Sequence, residues 1–254
     1  MKLPIYQVDA FSSRVFAGNP AAVCPLNEWL DTEVLQAIAA ENNLAETAFY
    51  LPEGRHYRLR WFTPKVEVDL CGHATLASAL VIGKPEVRFM TRSGELTVTR
   101  NGDLFTLDFP SLTPEPQPAN PGLIAALGGS PKELLAARDY LVVYESEDEV
   151  RALKPNMEAL CGIDRFAVIV TAPGRNSDFV SRFFAPAKGI NEDPVTGSAH
   201  CTLTPYWAKR LGKSSLHAFQ VSERGGELWL EAKGERVAIS GMGTLYMEGS
   251  IYII

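Results

Sequence analysis

The sequence predicts an α+β fold built from two similar halves, and three observations predict it. First, Trp61-Phe62-Thr63-Pro64, followed by Asp69-Leu70-Cys71-Gly72-His73-Ala74-Thr75-Leu76, has an echo further on. The echo is Phe183-Phe184-Ala185-Pro186, followed by Asp193-Pro194-Val195-Thr196-Gly197-Ser198-Ala199-His200. Second, Gly94-Glu95-Leu96 stands upstream of Asn101-Gly102 just as Gly226-Glu227-Leu228 stands upstream of Lys233-Gly234, with the same spacing in both pairs. Third, residues 110–121 carry five prolines in twelve positions, which reads as an extended boundary segment and not as an element.

Each element follows from local pattern. Residues 33–41 place Val34, Leu35 and Ile38 at helical spacing, and residues 150–160 do the same with Val150, Leu153, Met157 and Leu160. Arg55, Arg58 and Arg60 alternate with Tyr57, Leu59 and Trp61, the signature of a strand with one solvated face and one buried face. In both copies of the repeat, an apolar strand end, a proline and a short acidic loop lead into a helix opened by Gly-x-Ala. A hairpin then follows, turned by Asn101-Gly102 in the first copy and Lys233-Gly234 in the second. The expected architecture is therefore two mostly antiparallel, barrel-like sheets, each wrapping a helix, with a ligand cleft between the halves.

Composition narrows the function. The 254 residues are 46% hydrophobic and 21% charged, which suits a packed globular chain and rules out a disordered one. The net charge of −6, with no basic stripe, argues against a nucleic-acid partner. The longest apolar stretch, residues 74–82, is too short to span a bilayer, and the N-terminus shows no secretion signal, so cytoplasmic residence is expected. Cys24, Cys71, Cys161 and Cys201 form no C-x-x-C pair and are expected as small buried hydrophobes.

Several residues suit chemistry. Gly72-His73-Ala74 and Gly197-Ser198-Ala199 each set small residues at a helix start, where outward-facing N–H groups and the helix dipole favour an anion such as a carboxylate. Glu46 lies among Leu44, Ala45, Ala48 and Phe49, an apolar frame that would disfavour its charged form and suit it to acid–base work near neutral pH. The matching frame of the second half, residues 162–168, holds no glutamate, which fits a single-base proton shuttle. His73, at a helix start, is expected to be kept neutral by the dipole, with Asp193 as a partner for it or for a substrate hydroxyl. Gly241-Met242-Gly243 lacks the third glycine of a dinucleotide fingerprint, and no phosphate loop, His-Glu-x-x-His or Gly-x-Ser-x-Gly is present. A metal set of Asp69, Cys71 and His73, aided by Asp193 or His200, matches no usual zinc spacing.

Taken together, these segments resemble the PhzF-like family, named for the phenazine-biosynthesis isomerase and related to diaminopimelate epimerase and proline racemase. The matching blocks are residues 8–11, 16–23 and 43–49, Phe62-Thr63-Pro64 with Gly72-His73-Ala74, and Phe184-Ala185-Pro186 with residues 192–199. The resemblance implies a diaminopimelate epimerase-like fold with halves at 1–112 and 113–247, the last strand (248–254) returning to the first half. It implies a cofactor-independent isomerase in which Glu46 is the general acid–base on a small carboxylate-bearing substrate. His73, Asp193 and Ser198 support it, and Gly72 and Gly197 help bind the substrate. It further implies no metal and a possible homodimer. One departure stands out. The epimerase relatives carry a cysteine before each helix-opening glycine, whereas here Cys71 is followed in the second copy by Thr196. A one-thiol racemase using Cys71 and a non-catalytic binding protein are the alternatives.

Overall fold

The structure, a computed structural model, describes residues 1–253, so Ile254, at the end of the expected last strand, lies outside the described residues. The chain forms two compact units, residues 1–108 together with the stretch from Ser240 onward, and Phe109–Ile239.

The first unit contains β1 (Lys2–Ala10), β2 (Asn19–Pro25), α1 (Thr32–Asn42), β3 (Glu46–Glu53), β4 (His56–Phe62), β5 (Glu67–Val68), α2 (Gly72–Ile82), β6 (Glu86–Thr91), β7 (Gly94–Asn101) and most of β8 (Leu104–Pro110). The second contains β9 (Glu115–Pro116), α3 (Pro121–Leu127), β10 (Glu133–Ala136), β11 (Tyr140–Val143), α4 (Glu147–Ala152), α5 (Met157–Leu160), β12 (Val168–Pro173), β13 (Phe179–Ala185), β14 (Ile190–Asp193), α6 (Gly197–Leu211), β15 (Ser215–Gln220) and β16 (Gly226–Lys233). β17 (Arg236–Gly241) runs back into the first unit, and β18 (Gly243–Tyr252) belongs to it.

The repeat extends to topology. In the first unit β1 pairs antiparallel with β2, β2 pairs parallel with β3 across α1, β3 pairs antiparallel with β4, and β4 pairs parallel with β6 across α2. In the second unit β10 and β11 are antiparallel, β11 and β12 parallel across α4 and α5, β12 and β13 antiparallel, and β13 and β15 parallel across α6. The sheets are thus more mixed than the mostly antiparallel expectation, because α1, α2, α6 and the α4–α5 pair each cross between parallel strands, whereas α3 stands between the antiparallel β9 and β10. β18 adds to the outer side of β1, in register from Lys2↔Tyr252 to Ala10↔Gly243.

α2 is the core of the first unit. His73 to Ala79 are all buried, so this helix has no solvated face. Its alanines let the sheet approach on every side, and Leu76 fills the centre with no exposed surface. Trimming Leu76 to alanine would cost about 2–5 kcal/mol. Gly241 is fixed by packing and not by a nucleotide: a Cβ there would stand 2.3 Å from the Phe11 ring.

The expected helix over residues 150–160 is two short helices. Pro155 disfavours helical backbone at the residue before it and offers no N–H, and Leu153 is already extended at φ −58° and ψ 134°. Ser146 and Asn156 cap the two pieces, accepting from the N–H groups of Glu149 and Ala159. Cys161 is exposed, unlike the other three cysteines, because it lies just beyond the second piece.

Candidate active site

In the first unit the site grows from the end of α1 and the start of α2. Asn43 ends α1 in left-handed backbone (φ 49°), a conformation asparagine tolerates, and its N–H bonds back to Ala39. The chain then turns into β3, whose first residue is Glu46, in parallel register with Ala21 of β2. Cys71 holds the N-cap position of α2 with extended backbone and makes no side-chain cap. His73 follows in the first turn and points inward.

These choices bring Glu46 and His73 together. His73 Nε2 lies 3.1 Å from Glu46 Oε2, with only 7% and 13% of the two side chains exposed. On the other side of the ring, Nδ1 lies 3.5 Å from Cys71 Sγ and 3.4 Å from Asn19 Nδ2. Asn19, which opens β2, is fully buried. Sequence reasoning had Asn19 only inside a family block and gave it no role; its partner is set by the third dimension.

The electrostatics differ from the sequence expectation. Burial opposes a charge on His73, but the Cys71 sulfur and the Glu46 carboxylate outweigh it and raise the imidazole well above its ordinary value. Burial, and then the Glu46 charge, raise the Cys71 thiol, which disfavours its thiolate form. The helix dipole expected to keep His73 neutral loses to a carboxylate in direct contact, because the dipole offers only a fraction of a charge.

In the second unit the start of α6 is built from hydroxyls and an amide. Asp193 ends β14, and the Thr196 hydroxyl donates to its Oδ2. Gln220, the last residue of β15, accepts from the Thr196 N–H at 2.9 Å and donates to the Asp193 carbonyl at 2.7 Å. Ser222 donates to the Pro194 carbonyl at 2.7 Å. Gly197 is the first residue of α6 and Ser198 the second. Ser198 Oγ accepts from Arg138 Nη2 at 3.3 Å, and the same guanidinium pairs with the buried Asp139 and lies over the Phe166 ring at 4.6 Å. Burial, partly offset by Arg138, raises Asp139. Arg138 was not singled out from sequence, since a lone Arg-Asp pair upstream of a strand carries no local signal.

With this geometry in place the chain can be compared with known proteins. The profile of the phenazine biosynthesis-like family, PhzC-PhzF, matches residues 8–249. A Pseudomonas aeruginosa protein named an uncharacterized isomerase is 55% identical, over 100% of both chains. This chain belongs to the phenazine biosynthesis-like family. A crystal structure of a PhzF family protein from Enterococcus faecalis matches it with a TM-score of 0.98 at 49% identity, over 100% of both chains. A hydroxyproline epimerase from Agrobacterium vitis, solved with bound trans-4-OH-L-proline, shares the fold at a TM-score of 0.60 and 12% identity, over 98% of this chain and 91% of that one. The diaminopimelate epimerase-like fold read from sequence is therefore present, and this PhzF family chain is an isomerase.

Within this PhzF family chain, Glu46, Cys71 and His73 also offer ligand atoms that all lie within 4.8 Å of one another. Asp69, the third member of the sequence-stated metal set, points elsewhere: its side chain is 75% exposed and faces Arg92 at 3.9 Å. His200 is spoken for as well, its Nδ1 lying 2.9 Å from the Thr196 carbonyl. Among the described residues no helix is long and apolar enough to cross a membrane.

Proposed function

We propose that the chain catalyses a cofactor-independent proton transfer on a small carboxylate-bearing substrate, with Glu46 as the general acid–base. The observation that carries this reading is the buried Glu46–His73 pair at 3.1 Å, at the start of α2. His73, buried against Glu46, keeps the carboxylate at the start of α2, beside the helix's first-turn N–H groups. The proton leaves a carbon next to the substrate's activating carboxyl or enol group, resides on Glu46, and returns to another carbon of the same molecule. The first-turn N–H groups of α2, which no cap side chain covers, supply donors for the substrate's carboxylate.

Asp193, Gly197 and Ser198 are proposed, from the sequence repeat and the family resemblance, to bind and orient substrate. Cytoplasmic residence and a homodimer complete the reading; fractionation and sedimentation velocity test them.

The deciding experiment is deuterium wash-in followed by mass spectrometry, on a panel of small carboxylates that includes amino acids and a dihydro-hydroxyanthranilate. Exchange at carbon with wild type and its loss in Glu46→Gln supports the assignment. Exchange that survives Glu46→Gln and is lost in Cys71→Ala gives the reaction to the thiol. The raised Cys71 thiol argues against that outcome, since the thiolate is the reactive form.

A further inference from the structure

The juxtaposition of Glu46, Cys71 and His73 has a second chemical meaning. A thiol, an imidazole and a carboxylate are the three donor types of zinc proteins, and the thiol disfavours the hard ions Mg2+ and Ca2+. Tetrahedral zinc with bonds of about 2.0–2.3 Å sets its ligand atoms about 3.4–3.6 Å apart. Here the sulfur stands 3.5 Å from one ring nitrogen and the carboxylate oxygen 3.1 Å from the other. One ligand atom from each of the three residues lies within 4.8 Å of the other two, so a contraction of the triad brings them to tetrahedral spacing.

Two further observations favour a ligand there. His73 Nε2 is buried, and although it faces Glu46 it makes no hydrogen bond of proper angle, so its in-plane direction is unused. All three donors also sit on fixed backbone: Glu46 opens β3, Cys71 caps α2, and His73 lies in the first turn of the same helix. Glu46, the most exposed of the three, gives an ion a route in from solvent.

We propose that Glu46, Cys71 and His73 form a binding site for a thiophilic divalent cation, Zn2+ above all, and that the bound ion shuts down proton transfer by occupying Glu46. Binding exchanges two protons for the metal: Cys71 S–H and one N–H of the His73 imidazolium each give up H+ to solvent, the S–M and N–M bonds form, and no electron is transferred. The blocking half of the proposal rests on Glu46 being the acid–base group, whereas the binding half does not.

The test uses Cd2+ as a spectroscopic probe, added to the full-length chain carrying Cys161→Ala so that the exposed thiol is silent. One equivalent of Cd2+ is expected to raise a saturable ultraviolet cadmium–thiolate band. Further replacement of Cys71 by Ala or Ser abolishes the band, Cys24→Ala and Cys201→Ala leave it, and Glu46→Gln or His73→Gln weakens Cd2+ binding at least tenfold. Two Cys71 replacements are used so that one folded variant, checked by near-ultraviolet circular dichroism, is in hand. Zn2+ displaces the probe and millimolar Mg2+ does not. No saturable band, or one that persists without Cys71, overturns the site while leaving the Glu46 reading intact. A band that saturates while deuterium exchange continues overturns the blocking half. Exchange that survives Glu46→Gln instead points to failure of the acid–base reading, with metal binding still measurable.

Discussion

Each unit buries one histidine on its Gly-led helix, and the two meet opposite fates. His73, in the first turn of α2, has a carboxylate at 3.1 Å and is raised well above its ordinary value. His200, one turn into α6, has a backbone carbonyl for a partner, and burial pushes it down to about 4. The two do not occupy matching positions: His73 is the second residue of α2, where α6 has Ser198, and His200 is the fourth residue of α6. β3 brings Glu46 to α2, whereas β15 brings the neutral Gln220 to α6. In a duplicated scaffold, then, one copy can hold charged groups for chemistry while the other becomes a neutral hydrogen-bonded anchor.

The largest effect that would break this comparison is on turnover. Glu46→Gln is expected to lower the rate of deuterium exchange about 10²–10⁴-fold, the usual worth of a positioned acid–base group, while near-ultraviolet circular dichroism shows the fold intact. A variant with ordinary turnover would make the Glu46–His73 pair structural.

The next effect is on stability against pH. The folded second unit resists protonating His200 until about pH 4, while the unfolded chain takes up that proton near 6.5. Below 6.5 the unfolded state therefore binds more protons, and stability falls as pH drops from about 6.5 to about 4, by about 3 kcal/mol in all. His73 has the opposite sign. Its raised value contributes stability that is fully present below the unfolded pKa and is lost as pH rises through the folded one. Hydrogen exchange by mass spectrometry, read separately for the two units, should show the second loosening on the acid side and the first on the alkaline side. His200→Gln should flatten the acid limb alone.

Smaller again is the anchor. Gln220→Ala leaves the buried Thr196 N–H without its acceptor and is expected to cost about 1–3 kcal/mol in urea unfolding. Smallest is the exposed pair of Arg88 and Glu86, half-exposed on both sides; Arg88→Ala should leave the urea unfolding midpoint unchanged.

Much of the molecule was legible in the sequence because its signals are local. Gly72-His73-Ala74 and Gly197-Ser198-Ala199 do open α2 and α6, and the alternation about Leu59 and Trp61 does mark β4. The break at Pro155 was equally local, but the apolar spacing of Leu153, Met157 and Leu160 masked it. What sequence did not yield was pairing across elements. That His73 answers to Glu46, Cys71 and Asn19 depends on how α2 lies against β2 and β3, and no spacing along the chain encodes it. The apolar neighbours of Glu46 suggested desolvation as its main influence; the structure places an imidazole against it instead.

β18 has a consequence for how the protein is made. It pairs along β1 from Lys2 to Ala10, with a shift of register between Gln7 and Val8, so a strand made long after β1 extends the sheet that β1 begins. Phe109–Ile239, by contrast, is one continuous stretch and can fold as it emerges from the ribosome. The unit that starts first therefore finishes last, and Glu46 and His73 reside in it. A nascent chain whose β18 is still inside the ribosomal tunnel holds a finished second unit and a first unit whose β1 lacks this partner, with Glu46 and His73 in the unfinished unit.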